Sequence, residues 1–189
     1  MNEYDFTLKF RLADKQEDPE TYLGVLERAG CNDALIGVGR HGRIALHFTR
    51  EADTALEAIS SAVANVTTAI PNAWLVEASP DFVGITHIAE LLGVSRQYIQ
   101  KITQSESVAF PEPIHEGKPS LWHLIDVLAW FEAERTREIE PAVFDVSKIT
   151  MQVNLYLACM KAARLGHERF RFEATAMDAV LQQNLQNAA

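Results

Sequence analysis

The sequence predicts an α+β protein in three parts, and three observations carry that reading. Apolar side chains alternate with polar ones near the N-terminus, as one-sided strands require. Apolar stripes at helical spacing dominate from residue 86 onward, and glycines and prolines stand where the two kinds of element meet. The parts are an α+β domain over 1–80, a mainly helical domain over 81–135 and an α-helical segment over 136–189.

A first strand is predicted over Tyr4 to Leu12, where Phe6, Leu8 and Phe10 alternate with Asp5, Thr7, Lys9 and Arg11. A helix follows over Pro19 to Ala29, then strands over Ala34 to Val38 and Arg43 to Phe48 around the turn Gly39-Arg40-His41-Gly42. Leu56, Ile59, Val63, Val66 and Ile70 stripe a second helix over Ala52 to Ile70, and a last strand covers Ala73 to Ala78. This βαββαβ order resembles the ferredoxin-like architecture, which serves sensing, dimerisation, RNA binding and small enzymes alike. Ser79-Pro80-Asp81 reads as a short linker and domain boundary, because the residue before a proline is pushed out of helix.

Residues 86–102 read as helix, glycine turn and helix. Thr86 is expected to cap the first helix, whose Ile88, Ala89, Leu91 and Leu92 recur at helical spacing. Gly93 ends it, where a positive φ is needed and where a side chain is expected to collide with the next helix. Ser95 caps the second helix, with Val94, Ile99 and Ile102 inward and Arg96, Gln97, Tyr98, Gln100 and Lys101 outward. Such side chains contact phosphates and base edges when a helix lies in a DNA major groove, since Arg and Gln offer paired hydrogen-bonding groups.

The pattern continues through Phe110-Pro-Glu-Pro-Ile, His115-Glu-Gly-Lys-Pro-Ser-Leu-Trp and the helix Leu124-Ile-Asp-Val-Leu-Ala-Trp-Phe. Over residues 82–134 the chain resembles an excisionase-type, MerR-like winged helix-turn-helix. The resemblance implies double-stranded DNA as partner, with Ser95, Arg96, Gln97, Tyr98, Gln100 and Lys101 on the reading helix over 95–104 and Lys118 at the tip of the wing. Arg96 and Gln97 are then first choices for base contacts, Lys101 for phosphate, and Tyr98 for a phosphate hydrogen bond or wing packing. Family wings carry several arginines, whereas this one carries only Lys118 and His115.

Two further helical patterns follow. Ile149, Val153, Tyr156, Leu157, Met160 and Ala163 share a face that Val146, Leu155 and Cys159 widen, and Met177, Val180, Leu181 and Leu185 form a narrower stripe. This segment is expected to hold an oligomer together or to bind a partner protein. Lys161, Arg164, His167, Arg169 and Arg171 make a basic cluster that reads as a solvated edge or as an auxiliary phosphate contact.

Charge opposes the DNA reading. The net charge is −9, divided as −5, −4 and 0 among the three parts, whereas DNA binders ordinarily carry a basic footprint. Within 94–105, however, the only charges are Arg96 and Lys101. A homodimer reading two half-sites would restore affinity through effective concentration. No leader pattern and no apolar run of membrane-spanning length is present, so a cytoplasmic location without membrane contact is expected. Cys31 and Cys159 lack CxxC spacing and read as reduced, buried thiols.

Other features read as structural. Trp122, Trp130 and Phe131 share a helical pattern with Leu121, Ile125 and Leu128 that places them in a core. His87, His115 and His123 lack metal-ligand spacing and read as unrelated surface or wing residues, and Gly37-Val-Gly39-Arg-His-Gly42 joins two strands without the Lys-Ser or Lys-Thr of a phosphate loop. No catalytic residue, cofactor or metal is therefore expected, and no enzymatic activity. A ligand-sensing first domain requires clustered titratable groups, and the sequence shows none. The expected function is that of a sequence-specific transcriptional regulator, a dimeric repressor reading a palindromic operator. The alternative is an antitoxin or adaptor whose acidic surface and C-terminal helices bind a protein.

Overall fold

The computed structural model describes residues 1–105, 107–134 and 138–165, with Arg164 and Leu165 described by backbone alone. The long strands β1 (Asn2–Arg11) and β3 (Arg43–Ala52) run antiparallel in register from Asn2 opposite Ala52 to Arg11 opposite Arg43. β2 (Ala34–Gly37) flanks β3 and β4 (Trp74–Ser79) flanks β1, giving an antiparallel sheet in the order β2-β3-β1-β4. Tyr4, Phe6, Leu8 and Phe10 alternate into one face with Ile44, Leu46 and Phe48, all of them buried. Leu26 of α1 (Leu23–Arg28) and Ala58, Ile59, Ala62 and Val66 of α2 (Ala55–Ala69) belong to the same apolar core.

Two predicted helices are redrawn. The helix expected from Pro19 splits into a 3-10 turn over Pro19–Tyr22, capped by Asp18 accepting from the Glu20 amide, and the separate α1. α2 starts at Ala55 because Thr54 is extended and caps it, its hydroxyl accepting from the Glu57 amide at 3.1 Å. The inward stripe of α2 is built largely on alanines, and Leu56, assigned to that stripe, is exposed. At the turn between β2 and β3, Gly42 has φ +69°, and a Cβ there would stand 2.6 Å from the Lys15 backbone. Its amide donates to Glu17 and its carbonyl accepts from Leu12, so the turn is fastened to the loop that follows β1.

A second core begins beyond residue 80. It joins Val83 of β5 (Phe82–Val83), Ile88 and Ala89 of α3 (Ile85–Leu91), Ile99 and Ile102 of α4 (Arg96–Thr103), and Leu124, Val127, Leu128 and Phe131 of α5 (Leu124–Ala133). β5 pairs with β6 (Trp122–His123). Trp122 and Phe131 are buried and Trp130 half-buried, and Phe110 meets all three ring edges. Trp122 also donates its indole N–H to the Pro111 carbonyl at 2.9 Å, which holds the proline segment against the core.

α6 (Pro141–Leu165) is shared by both cores. Val146, Ile149 and Val153 pack with the first, Val143 and Phe144 with the second. Asn154 accepts from the Ala78 amide at 2.9 Å and donates to the Ala78 carbonyl at 2.7 Å, replacing a neighbouring strand along the outer edge of β4. The run 79–81 is therefore no solvated linker: Asp81 is only 1% exposed, and the Thr150 hydroxyl donates to the Pro80 carbonyl. One compact unit spans Met1–Asn154, and α6 continues from Leu155 in a second. In that continuation Leu155, Tyr156 and Cys159 are exposed, which corrects the buried thiol expected at 159. The stripe from Met177 and the basic residues Arg164, His167, Arg169 and Arg171 lie outside the described side chains. No described helix is long and apolar enough to cross a membrane.

Candidate nucleic-acid interface

The helix pair is built from local signals. Gly84, extended, precedes α3 and its carbonyl accepts from the Ile88 amide, so Thr86 lies inside the helix instead of capping it. α3 closes with the Val94 amide donating to the Ala89 carbonyl across Gly93, whose φ is +62°. A Cβ on Gly93 would meet nothing within 4 Å, so the left-handed backbone, not crowding, selects glycine there. Ser95 caps α4, its hydroxyl accepting from the Tyr98 amide at 3.1 Å.

Burial of Ile99 and Ile102 orients α4. With about 100° between successive residues, Arg96, Gln100, Gln97 and Lys101 fall within an arc of about 140° opposite those isoleucines, and Tyr98 borders it. All five side chains are exposed, as is Ser95. Among the described residues neither Arg96 nor Lys101 enters an ion pair. The arc thus carries two unpaired cations, two amides and no carboxylate, and can donate to phosphates or pair with base edges.

Lys118 lies apart from α4 in the chain, at the exposed end of a small loop. His115 and Leu121 bridge antiparallel, and the Ser120 hydroxyl donates to the Gly117 carbonyl at 3.1 Å. A Cβ on Gly117 would sit 2.4 Å from Nε2 of the exposed His115 side chain, so His115 would have to turn aside to admit one. Glu112 and Glu116 are also exposed on this segment, so Lys118 offers a single cation in acidic surroundings.

Sequence reasoning missed the polar junction behind the helix pair. His123 Nδ1 lies 2.6 Å from Asp81 Oδ1, the Asn154 amide donates to Asp81 Oδ2 at 2.7 Å, and the Leu124 amide donates to the Asp81 carbonyl at 2.7 Å. His123 is therefore no surface residue. The available signal was Thr150 and Asn154 at a four-residue spacing below Val146, polar side chains in an otherwise apolar stripe. Titratable groups also gather where none were expected. A cleft of about 310 Å³ opens between His87 and Leu91 of α3, Asp5, Thr7 and His47 of the sheet, and Glu140.

No family model matches the chain, and comparison with curated proteins and with solved structures finds no match.

Proposed function

We propose that this chain is a sequence-specific DNA-binding regulator, a ferredoxin-like βαββαβ domain joined to a MerR-like winged helix-turn-helix, acting as a dimeric repressor on a palindromic operator. The observation that carries the reading is the α4 arc, where Arg96, Gln97, Gln100 and Lys101 stand exposed on a helix whose inner side is fixed by Ile99 and Ile102. The sheet order β2-β3-β1-β4 with both helices in one core supports the ferredoxin-like assignment, and the β5–β6 pair with the His115–Leu121 bridge supports a wing. In this reading α4 enters the major groove, Arg96 and Gln97 meet base edges, and Lys101, Tyr98 and Lys118 fix register on phosphates.

The experiment is a gel-shift series against DNA upstream of the protein's own gene at several salt concentrations. Binding is expected to weaken with salt, and Lys101→Ala to lower the log–log salt slope by about one. No shift with micromolar protein at low salt overturns the reading. The net charge of −9 and the exposed Leu155 and Tyr156 favour a second reading, an antitoxin or adaptor binding a basic protein partner. That reading predicts complex formation unaffected by Arg96→Ala.

A further inference from the structure

The second face of the sheet carries mostly exposed side chains, with α3 and the start of α6 standing beside its Glu3 end across the cleft, and its charges are sorted. Cross-strand bonds from Thr49 to Asp5 (2.7 Å), between Thr7 and His47 (3.0 Å) and from Lys9 to Glu77 (2.7 Å) place these side chains on the face opposite Phe6, Leu8 and Phe10. Alternation and register carry Glu3 opposite Glu51 to one end of that face, and Arg11 opposite Arg43 to the other. All four are exposed. Like charges directly opposite one another destabilise an antiparallel pair, and here the penalty occurs twice, once between two carboxylates and once between two guanidinium groups. Eight residues of strand separate the ends by about 27 Å.

We propose that this face binds a second copy of the chain, with the two sheets stacked and the strands of β1 and β3 reversed. A two-fold axis lying between the sheets and across the strands sets Arg11 and Arg43 of one protomer over Glu3 and Glu51 of the other, twice by symmetry. The acidic end is also concave: the cleft beside α3 is lined by Glu3, Asp5 and Glu140 with His47 and His87, and by no Lys or Arg, so its carboxylates can accept incoming guanidinium groups. Leu35, 77% exposed, stands opposite His47 in the middle row and supplies apolar contact. Strand length and spacing give the face about 500 Å², or about 1,000 Å² for the pair, at the lower limit for a specific interface. The dimer is accordingly weak and salt-sensitive. It supplies the two-fold symmetry that the operator reading needs, while its surface is argued from the sheet alone.

The test is charge exchange on the full chain, read by sedimentation equilibrium without DNA. Wild type is expected to dimerise at low salt. Arg11→Glu with Arg43→Glu, and separately Glu3→Arg with Glu51→Arg, are each expected to weaken self-association at least tenfold, because every end then meets its own sign. An equimolar mixture of the two variants recovers the dimer as a heterodimer, and the chain carrying all four changes recovers it alone. Each reversal exchanges one like-charged pair for another, so circular dichroism and Tm should stay near wild type. If a reversal unfolds the chain, Arg11→Gln with Arg43→Gln is expected to weaken the dimer severalfold. Wild type monomeric at 100 µM and low salt, single-end variants dimerising as wild type, or a mixture that stays monomeric overturns the proposal. A monomeric variant that still shifts a single half-site duplex leaves the DNA reading standing, so the two fail separately.

Discussion

β1 and α4 each bury one side in a core and turn the other outward, yet their outward side chains are used differently. On β1, Asp5, Thr7 and Lys9 are bonded across strands to Thr49, His47 and Glu77. On α4, none of Arg96, Gln97, Gln100 or Lys101 has a side-chain partner among the described residues. A side chain already satisfied within the chain gains little from a ligand; one held only by water exchanges it at small cost. The middle of the sheet is committed internally, while α4 and the two ends of the sheet face are not.

The junction joining the two regions should give the largest effect. Asn154→Ala removes both partners of the Ala78 backbone and one donor to the buried Asp81 carboxylate. It is expected to cost about 3 kcal/mol and lower Tm by about 6–12 °C, measured by thermal unfolding. An unchanged Tm would mean the two regions do not depend on this tie.

The glycines compare the regions directly. Gly42→Ala combines a φ of +69° with a 2.6 Å approach to Lys15 and should cost about 2–3 kcal/mol. Gly93→Ala has a similar φ of +62° but open space, and should cost only about 1 kcal/mol in the same denaturant titration. Equal losses would show that crowding at Lys15 relaxes. Arg96→Ala should leave stability within about 0.5 kcal/mol, since its side chain is exposed, yet weaken the proposed binding to operator DNA by about 1–3 kcal/mol.

The smallest effect is with pH. Burial holds the Cys31 thiol above its ordinary value of 9.0, and a hydrogen bond to Glu17 raises the Tyr22 hydroxyl. Both groups are protonated in either state at neutral pH; as pH rises through 9 the unfolded thiol ionises first, so stability falls. Cys31→Ala should flatten the decline between pH 8 and 10 in chemical denaturation. At neutral pH an alkylating reagent should modify exposed Cys159 well before Cys31.

Much of this was legible where periodicity and burial coincide. The alternation of β1 predicts its buried face residue by residue, and Ser95, Ile99 and Ile102 orient α4 from sequence alone. Legibility failed where distant residues decide. Leu56 lies outside the core because α2 approaches the sheet on Ala58 and Ala62, which a hydrophobicity stripe undervalues. Asp81 looks like a linker residue until His123 and Asn154 arrive from 42 and 73 positions away. The charge sorting on the sheet face needs the β1–β3 register, which no local pattern states.

The Asn154 amide on β4 also bears on how copies of this chain accumulate. Ala78 has no backbone group left to offer, so a foreign strand cannot extend the sheet past β4 at that point, and the opposite edge, β2, is only four residues long. Edge-to-edge growth, the route to fibrils and runaway strand exchange, is thereby closed at β4 and short of template at β2. At high concentration the chain should form discrete particles rather than polymers, and unlocking Asn154 should let it seed strand addition.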